Sequence, residues 1–342
     1  MQLILHSITL RLKHHFKIAH DSRSAQKALI VELKHENISG FGEATASKYY
    51  NQSIEGMMDL LEQNREAIES YNFEIPEEFR ETSSKLLASN SFALSALDVA
   101  IYDLYAKSKK KSLMDLWGGN PRNTPTTNYT IGIDTVEMMA EKLQEFPWPL
   151  YKIKLGTKED LKIIKELRQL TTAVFRVDAN CGWTALETLK NAQEMQHLGV
   201  EFIEQPLAAD DWDGMNQVFK SSPLPIIADE SIISEFDIKK CVGHFHGVNI
   251  KLMKCGGYTP ALRMIKEAKT LGLKVMVGCM TESSVGIASI GQLSPFLDYV
   301  DMDGALLITN DIAAGPQFID GKTILPTGSG IGIDRLKLLD AI

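Results

Sequence analysis

The sequence predicts an α/β barrel of eight parallel strands, preceded by a smaller unit that mixes strands and helices. Three observations carry that expectation. From about residue 126 onward, short apolar runs rich in β-branched residues alternate with amphipathic segments, the pattern of strand–helix units in a parallel sheet. Eight such runs follow one another, the number that closes a barrel. The first ~122 residues do not share the rhythm, and a chain of 342 residues exceeds the roughly 250–300 that one core supports.

In the first 122 residues, ITLRL and KALIVELKHE read as strands, while SIEGMMDLLEQNREAI and the strongly apolar FALSALDVAIYDLYAKS read as helices. A cluster of turn residues, GGNPRNTP (118–125), marks the boundary. The eight strand candidates then follow. They are TNYTIG (127–132), LYKIKL (150–155), VFRVDA (174–179), VEFIEQ (200–205), LPIIAD (224–229), GVNIKL (247–252), LKVMVG (273–278) and LDYVDMDG (297–304). Between them EDLKIIKELRQL (159–170) places Leu161, Ile164 and Leu167 on one helical face. After the eighth strand the Gly- and Pro-rich GPQFIDGKTILPTGSGIG argues against a regular eighth helix.

Composition narrows the function classes. At 44% hydrophobic and 23% charged, the chain reads as an ordinary soluble globular protein. Its net charge is -8 and it has no long basic block, so no nucleic-acid partner is expected. The densest cationic run, Lys107 with Lys109–Lys111, reads as a solvated helix C-terminus, where cations suit the dipole. The N-terminal segment lacks an apolar stretch of signal-peptide length, and no run approaches the ~18 apolar residues of a membrane span. Cys181, Cys241, Cys255 and Cys279 form no CxxC pair and read as small buried residues. A cytoplasmic protein with no membrane partner is expected. The oligomeric state is left open, a homo-oligomer included.

In such a barrel, side chains at the C-terminal strand ends converge on the active site. The second strand ends with Lys152 and Lys154, the third with Asp178, the fourth with Glu204, the fifth with Asp229 and then Glu230, the sixth with Lys251, and the eighth with Asp301 and Asp303. Charged residues thus recur about once per unit, in phase. Asp178, Glu204 and Asp229 come from adjacent strands, and three hard oxygen ligands without His or Cys suit Mg2+, one ion per subunit. The second and sixth strands lie opposite in an eight-membered ring, so Lys154 and Lys251 face each other across the cavity. One can remove a proton from a carbon while the other returns one to the opposite face, which inverts a stereocentre. Lys152, on the same strand face as Lys154, is expected to lower the pKa of its neighbour together with the metal. On the eighth strand Asp301 and Asp303 form a second inward pair of unneutralised carboxylates. They call for a substrate ammonium group several bonds from a metal-bound carboxylate, which describes a dipeptide.

These residues carry a resemblance. K-x-K (Lys152, Lys154), D-A-N (Asp178, Asn180), E-Q-P (Glu204), A-D-E (Asp229, Glu230) and N-I-K-L-M-K-C-G-G (Lys251) resemble the muconate-lactonizing subgroup of the enolase superfamily, and D-M-D (Asp301, Asp303) is similar to its dipeptide epimerases. The resemblance implies a modified (β/α)7β TIM-type barrel (123–303) and an N-terminal α+β capping domain (1–122). A C-terminal segment (304–342) would pack back toward the cap. It implies that Mg2+ binds the substrate carboxylate and stabilises an enolate, with the lysines as acid and base. Cap loops at about 18–27 and 45–53 would close over the substrate. Thr130, Met280 and Thr281 are expected as further substrate contacts, with Asn180 and Glu230 behind the metal ligands.

The Ala-Glu epimerases carry an arginine in the first of these loops, after F-K-x-A. In FKIAHDSRS the matching position is Asp21, with Arg23 two residues on. The expected substrates are therefore Ala-X dipeptides with an uncharged, small apolar second residue, or a cationic one if Asp21 points inward. L-Ala-D/L-Glu epimerisation, o-succinylbenzoate synthesis and cycloisomerisation remain alternatives on the same lysines and metal, as does a non-catalytic Mg2+-binding barrel. His244-x-His246 precedes the sixth strand, at the wrong rim for a metal site, and GSGIG (328–332) reads as a turn.

Overall fold

The computed structural model describes residues 1–19, 21–71, 73–87 and 90–337; His20 in the first cap loop and the end of the C-terminal segment (338–342) lie outside them. The chain begins with an antiparallel sheet ordered β1 (Gln2–Ile18), β2 (Asp21–His35), β3 (Ile38–Thr45). Four helices follow: α1 (Ile54–Gln63), α2 (Arg65–Glu69) and α4 (Ser91–Ser108) pack with the sheet, and α3 (Pro76–Leu86) packs on α4. The first two strands run well past the expected segments. Pairing resumes after a register shift at Phe16↔Arg23 and continues to Ile18↔Asp21, so the expected loop at 18–27 is the tip of a long hairpin. KHHFKI escapes a strand reading because its polar and apolar residues do not alternate cleanly.

Ser53 and Asn90 cap α1 and α4 by accepting from Gly56 N and Ala93 N. α4 is buried along almost its whole length, between the sheet and the rest of the chain. Gly40 and Gly42 explain the tight fit on the sheet side. A Cβ on Gly42 would overlap the carbonyl oxygen of Ala96, and one on Gly40 that of Ala100. At the far end of α4, Lys107 is not solvated. Its Nζ donates to Asp103 Oδ2 (2.8 Å), Ser39 O (2.7 Å) and Ile333 O (2.5 Å), because the C-terminal segment folds over the helix end. Asp103 in turn accepts from Phe41 N and Ile331 N, both at 2.8 Å. Only Lys109–Lys111, beyond the helix, remain exposed.

The barrel strands are β4 (Tyr129–Ile131), β5 (Leu150–Lys154), β6 (Val174–Asp178), β7 (Val200–Glu204), β8 (Ile226–Ala228), β9 (Gly247–Ile250), β10 (Lys274–Gly278) and β11 (Tyr299–Asp301). They pair in parallel, each with its sequence neighbour, and a parallel bridge Thr127↔Val300 joins the last to the first. The intervening helix Asp160–Arg168 buries Ile163, Ile164 and Leu167. Where an eighth helix would stand, a short 3-10 turn (Gly304–Leu307) and a small hairpin (Gln317–Ile319, Lys322–Ile324) follow. Phe202, Ile227 and Met276 pack inside the barrel with Tyr299, and the Arg176 guanidinium lies over the Phe202 and Tyr299 rings. Arg176, Phe202, Ile227 and Tyr299 stand two residues before Asp178, Glu204, Asp229 and Asp301, so the strand floor is plugged and the open end is the acidic one.

Two cap carboxylates seat on the N-termini of barrel helices, where free N–H groups and the dipole favour an anion. Glu43 of β3 accepts from Ser283 N (2.9 Å), Ser283 Oγ (2.5 Å) and Gly286 N (2.9 Å), at the start of the helix Ser284–Leu293. Asp98 of α4 accepts from Thr259 N and Oγ1 at the start of Tyr258–Thr270. Burial pushes the Glu43 carboxyl up to about 7 in spite of its Ser283 bonds.

Gly42→Ala is expected to lower stability by about 1–3 kcal/mol, because the added methyl group drives β3 off α4; an unchanged Tm would show that the contact can yield. Glu43 binds its proton more tightly folded than unfolded. Its contribution is therefore complete below an unfolded value of about 4.5 and is lost as pH rises through about 7. The Tm of Glu43→Gln relative to the parent should accordingly rise between pH 5 and pH 8 in metal-free thermal melts.

Candidate active site

In register, Lys154 of β5 lies beside Asp178 of β6, and Asp178 beside Glu204 of β7. That alignment is why the acids recur in phase along the sequence: each ends its strand at the same height of the barrel. The carboxylates of Asp178, Glu204 and Asp229 are fully buried, with one oxygen of each within 4.8 Å of the others.

Lys152 lies among them, 1% exposed. Its Nζ is 2.8 Å from Glu204 Oε2, 2.9 Å from Asp301 Oδ2 and 3.1 Å from Asp178 Oδ2. Burial favours the neutral amine, but the charges of Asp301, Glu204, Asp178 and Asp229 outweigh it and hold the ammonium well above the ordinary lysine range. Lys154 Nζ is 2.6 Å from the same Asp178 oxygen, and Lys251 Nζ is 2.7 Å from Asp229 Oδ2. Lys251 is likewise raised: burial opposes the charged form, but Asp229 prevails. The expectation that Lys152 acts on Lys154 only as a like charge therefore changes. Lys152 is first the counter-ion of the acids, and it meets Lys154 through a shared oxygen.

Several groups fix these acids and were not singled out from the sequence. Lys254 donates to Asp229 Oδ1 (2.5 Å) and to Asp229 O (2.6 Å). Asn249 donates to Glu204 Oε1 (2.9 Å), in space left free because Gly278 has no side chain. Gln205 adopts a left-handed φ of 34°, and its Oε1 accepts from Asp229 N and Ser231 N, tying β7 to β8. All three stand inside the motifs quoted above, but amide roles of this kind depend on geometry that no spacing reveals. Asn180 donates to Glu230 Oε1 at 3.1 Å, and its backbone N to Asp178 Oδ1.

The donor set fits a hard divalent cation. Even with Lys152 in place, burial and the charge of Asp178 push the Glu204 carboxyl up to about 8. The lysines thus leave the trio short of positive charge, and a Mg2+ ion among three carboxylates supplies it.

Asp301 and Asp303 differ. Asp301 is already neutralised: it accepts from Lys152 and, at 2.8 Å, from Asn128 Nδ2. Asp303 accepts from Thr130 N at 2.5 Å and lies 3.8 Å from Cys279 Sγ, with no cation at ion-pair distance among the described residues. Burial, then the Asp301 charge, pushes its carboxyl up to about 7. One carboxylate, not two, is left for an ammonium group.

A cavity of about 330 Å³ covers this end of the barrel. Lys154, Lys251, Asn180 and Glu230 border it on one side, Thr130, Asp301, Asp303, Cys279, Met280 and Thr281 on another. The cap contributes Phe16, Ile18, Asp21 and Arg23 from the hairpin tip, and Ser47, Lys48, Tyr49 and Tyr50 from the turn after β3. Lys152, Asp178, Glu204 and Asp229 lie outside this lining. Asp21 does point inward, but its Oδ2 is 2.8 Å from Arg23 Nη1, so its charge is taken. Of the cysteines, Cys241 and Cys255 are buried, while Cys181 and Cys279 are half-buried. His246 accepts from Ile226 N, below the strand ends, and Gly330 lies in a turn that bonds to Lys111 O.

The model for the "Enolase C-terminal domain-like" family matches residues 134–336, and that for the "Mandelate racemase / muconate lactonizing enzyme, N-terminal domain" matches residues 3–118. An L-Ala-D/L-amino acid epimerase of Flavobacterium johnsoniae is 55% identical, covering 98% of this chain and 100% of its own. The substrate-liganded L-Ala-D/L-Glu epimerase of Bacillus subtilis superposes with a TM-score of 0.93 at 26% identity, over 98% and 99% of the two chains. The dipeptide epimerase of Enterococcus faecalis, complexed with Mg and L-Leu-L-Tyr, gives 0.92 at 29%, over 98% and 99%. No helix among the described residues is long and apolar enough to cross a membrane.

Lys152→Met should destabilise the metal-free protein by about 3–5 kcal/mol, the cost of leaving buried acids without their counter-ion. The deficit in Tm should shrink at low pH, because acids whose pKa values rise are relieved by protonation; a deficit independent of pH would contradict the charge argument.

Proposed function

This chain belongs to the mandelate racemase/muconate lactonizing enzyme family of enolase-like proteins, and from that membership we propose that it is a dipeptide epimerase, inverting the α-carbon of the C-terminal residue. The observation that carries the reading is the lysine pair. Lys154 and Lys251 border one cavity, each ion-paired to a different acid of a single trio. An α-carbon held between them is open to an amine on each face. Lys154 takes the proton from one epimer while Lys251 delivers one from the other side, and the roles reverse for the opposite epimer.

Asp178, Glu204 and Asp229 would hold the Mg2+. When bound, it supplies a compact dipositive charge beside the substrate carboxylate and weakens the hold of the acids on the two ammonium groups. Lys152 stays protonated and remains the counter-ion of the acids. Asp303 receives the substrate ammonium, which in turn holds it ionised. Asn180 and Glu230 stand on the cavity side of the trio, with the Asn180 backbone N bonded to Asp178. Thr130, Met280 and Thr281 line the path between the two ends of the substrate. The preferred substrates are Ala-X dipeptides whose second residue is small and uncharged. Phe16 and Ile18 offer that side chain an apolar wall, and the Asp21–Arg23 pair offers it no net charge.

The test is incubation of the Mg2+-loaded protein with a dipeptide library in deuterated water, read by mass spectrometry. Substrates should gain one deuterium, at the α-carbon of the second residue. Lys154→Ala and Lys251→Ala should each reduce epimerisation by roughly a hundred- to ten-thousandfold, with any remaining exchange confined to a single stereoisomer. Normal epimerisation by either variant would remove the two-base reading.

A further inference from the structure

The hairpin tip over the cavity carries two charges that cancel each other. The β1–β2 register sets Phe16 opposite Arg23 and Ile18 opposite Asp21, so all four side chains leave one face of the ribbon and border the cavity. Arg23 Nη1 meets Asp21 Oδ2 at 2.8 Å, and Arg23 Nη2 donates to Thr281 Oγ1 at 3.2 Å. The third guanidinium nitrogen, Nε, is buried without a partner. Both side chains are about three-quarters buried, at 25% and 23% exposure, so water screens them little. A guanidinium in this position has the geometry of a carboxylate receptor. Its carboxylate is supplied from within the chain.

We infer that Arg23 is a latent anion anchor facing the second residue of the substrate, and that Asp21 silences it and so sets the specificity. This rests on the dipeptide reading above. With the substrate carboxylate at the acid trio, its α-carbon between the lysines and its ammonium at Asp303, the side chain on that α-carbon faces the hairpin wall. An uncharged side chain leaves the Asp21–Arg23 pair intact. An acidic one must take Arg23 from Asp21 and strand a largely buried carboxylate, and a basic one must take Asp21 from Arg23. Each loses a charge-assisted bond for the one it makes, and the displaced partner has no replacement. Lys48 also borders the cavity, but it is solvent-exposed, where an ion pair contributes little.

Asp21→Asn keeps an acceptor beside Arg23 and removes the competing charge. The readout is the ratio of kcat/KM for L-Ala-L-Glu to that for L-Ala-L-Val, a ratio that cancels any difference in folded fraction. Asp21→Asn should raise it by about ten- to a hundredfold, the range of a freed charge-assisted contact. The double variant Asp21→Asn/Arg23→Gln should bring it back to within about threefold of the parent, and adding Lys48→Ala to Asp21→Asn should leave the rise in place. A ratio that stays within about twofold of the parent in Asp21→Asn, or a rise that survives Arg23→Gln, overturns the inference. Absence of deuterium uptake by the parent from every dipeptide would instead overturn the epimerase reading beneath it.

Discussion

One buried cation holds this site together. Lys152 is in ion-pair contact with acids from β6, β7 and β11 while standing on β5 itself. Moving a single ammonium or carboxylate into a protein interior is expensive, and pairing offsets the expense only if the geometry is good. Here β6, β7 and β11 each have their height in the barrel constrained by the same nitrogen, while the Asp229 carboxylate after β8 is held by Lys251 and Lys254. The contact between β5 and β11 also spans the seam, where the backbone supplies only the bridge at Thr127↔Val300. An apolar plug would serve stability better. Charge at this place is understandable only as a requirement of what the acids hold and of what the neighbouring lysines do.

Much of this was legible in the sequence, for a physical reason. A strand in a parallel barrel is buried on both faces, so a charge at its end stands out against an apolar run. Parallel register then puts the ends of successive strands level. Lys154, Asp178 and Glu204 are readable together because they are neighbours in one ladder. The positive charge of Lys152 is legible too, but its ion-pair partners are not. A spacing of two shows that Lys152 and Lys154 share a face, but only coordinates show that Lys152 turns toward Asp301, on the far side of the seam.

Elsewhere the sequence is silent because the partners are distant along the chain. Asp103 with Ile331, Glu43 with Ser283 and Asp98 with Thr259 join segments that no local pattern links. Lys107 read as solvated since the C-terminal segment that covers it carries no signal of where it goes. The hairpin was underestimated because a ribbon with one face over a cavity and the other toward water has no continuous apolar stripe to declare it. The sequence places its two opposite charges, Asp21 and Arg23, over the substrate, but that they pair with each other shows only once their shared face is known.

The aromatic and aliphatic stopper formed by Phe202, Ile227, Met276 and Tyr299, with Arg176 laid across it, has a consequence for traffic. The barrel is blind-ended. Whatever reaches the lysines arrives past the hairpin and the turn after β3, and whatever they release departs by that same doorway. The N-terminal unit is thus gatekeeper in both directions, and among the described residues the strand floor behind it is closed.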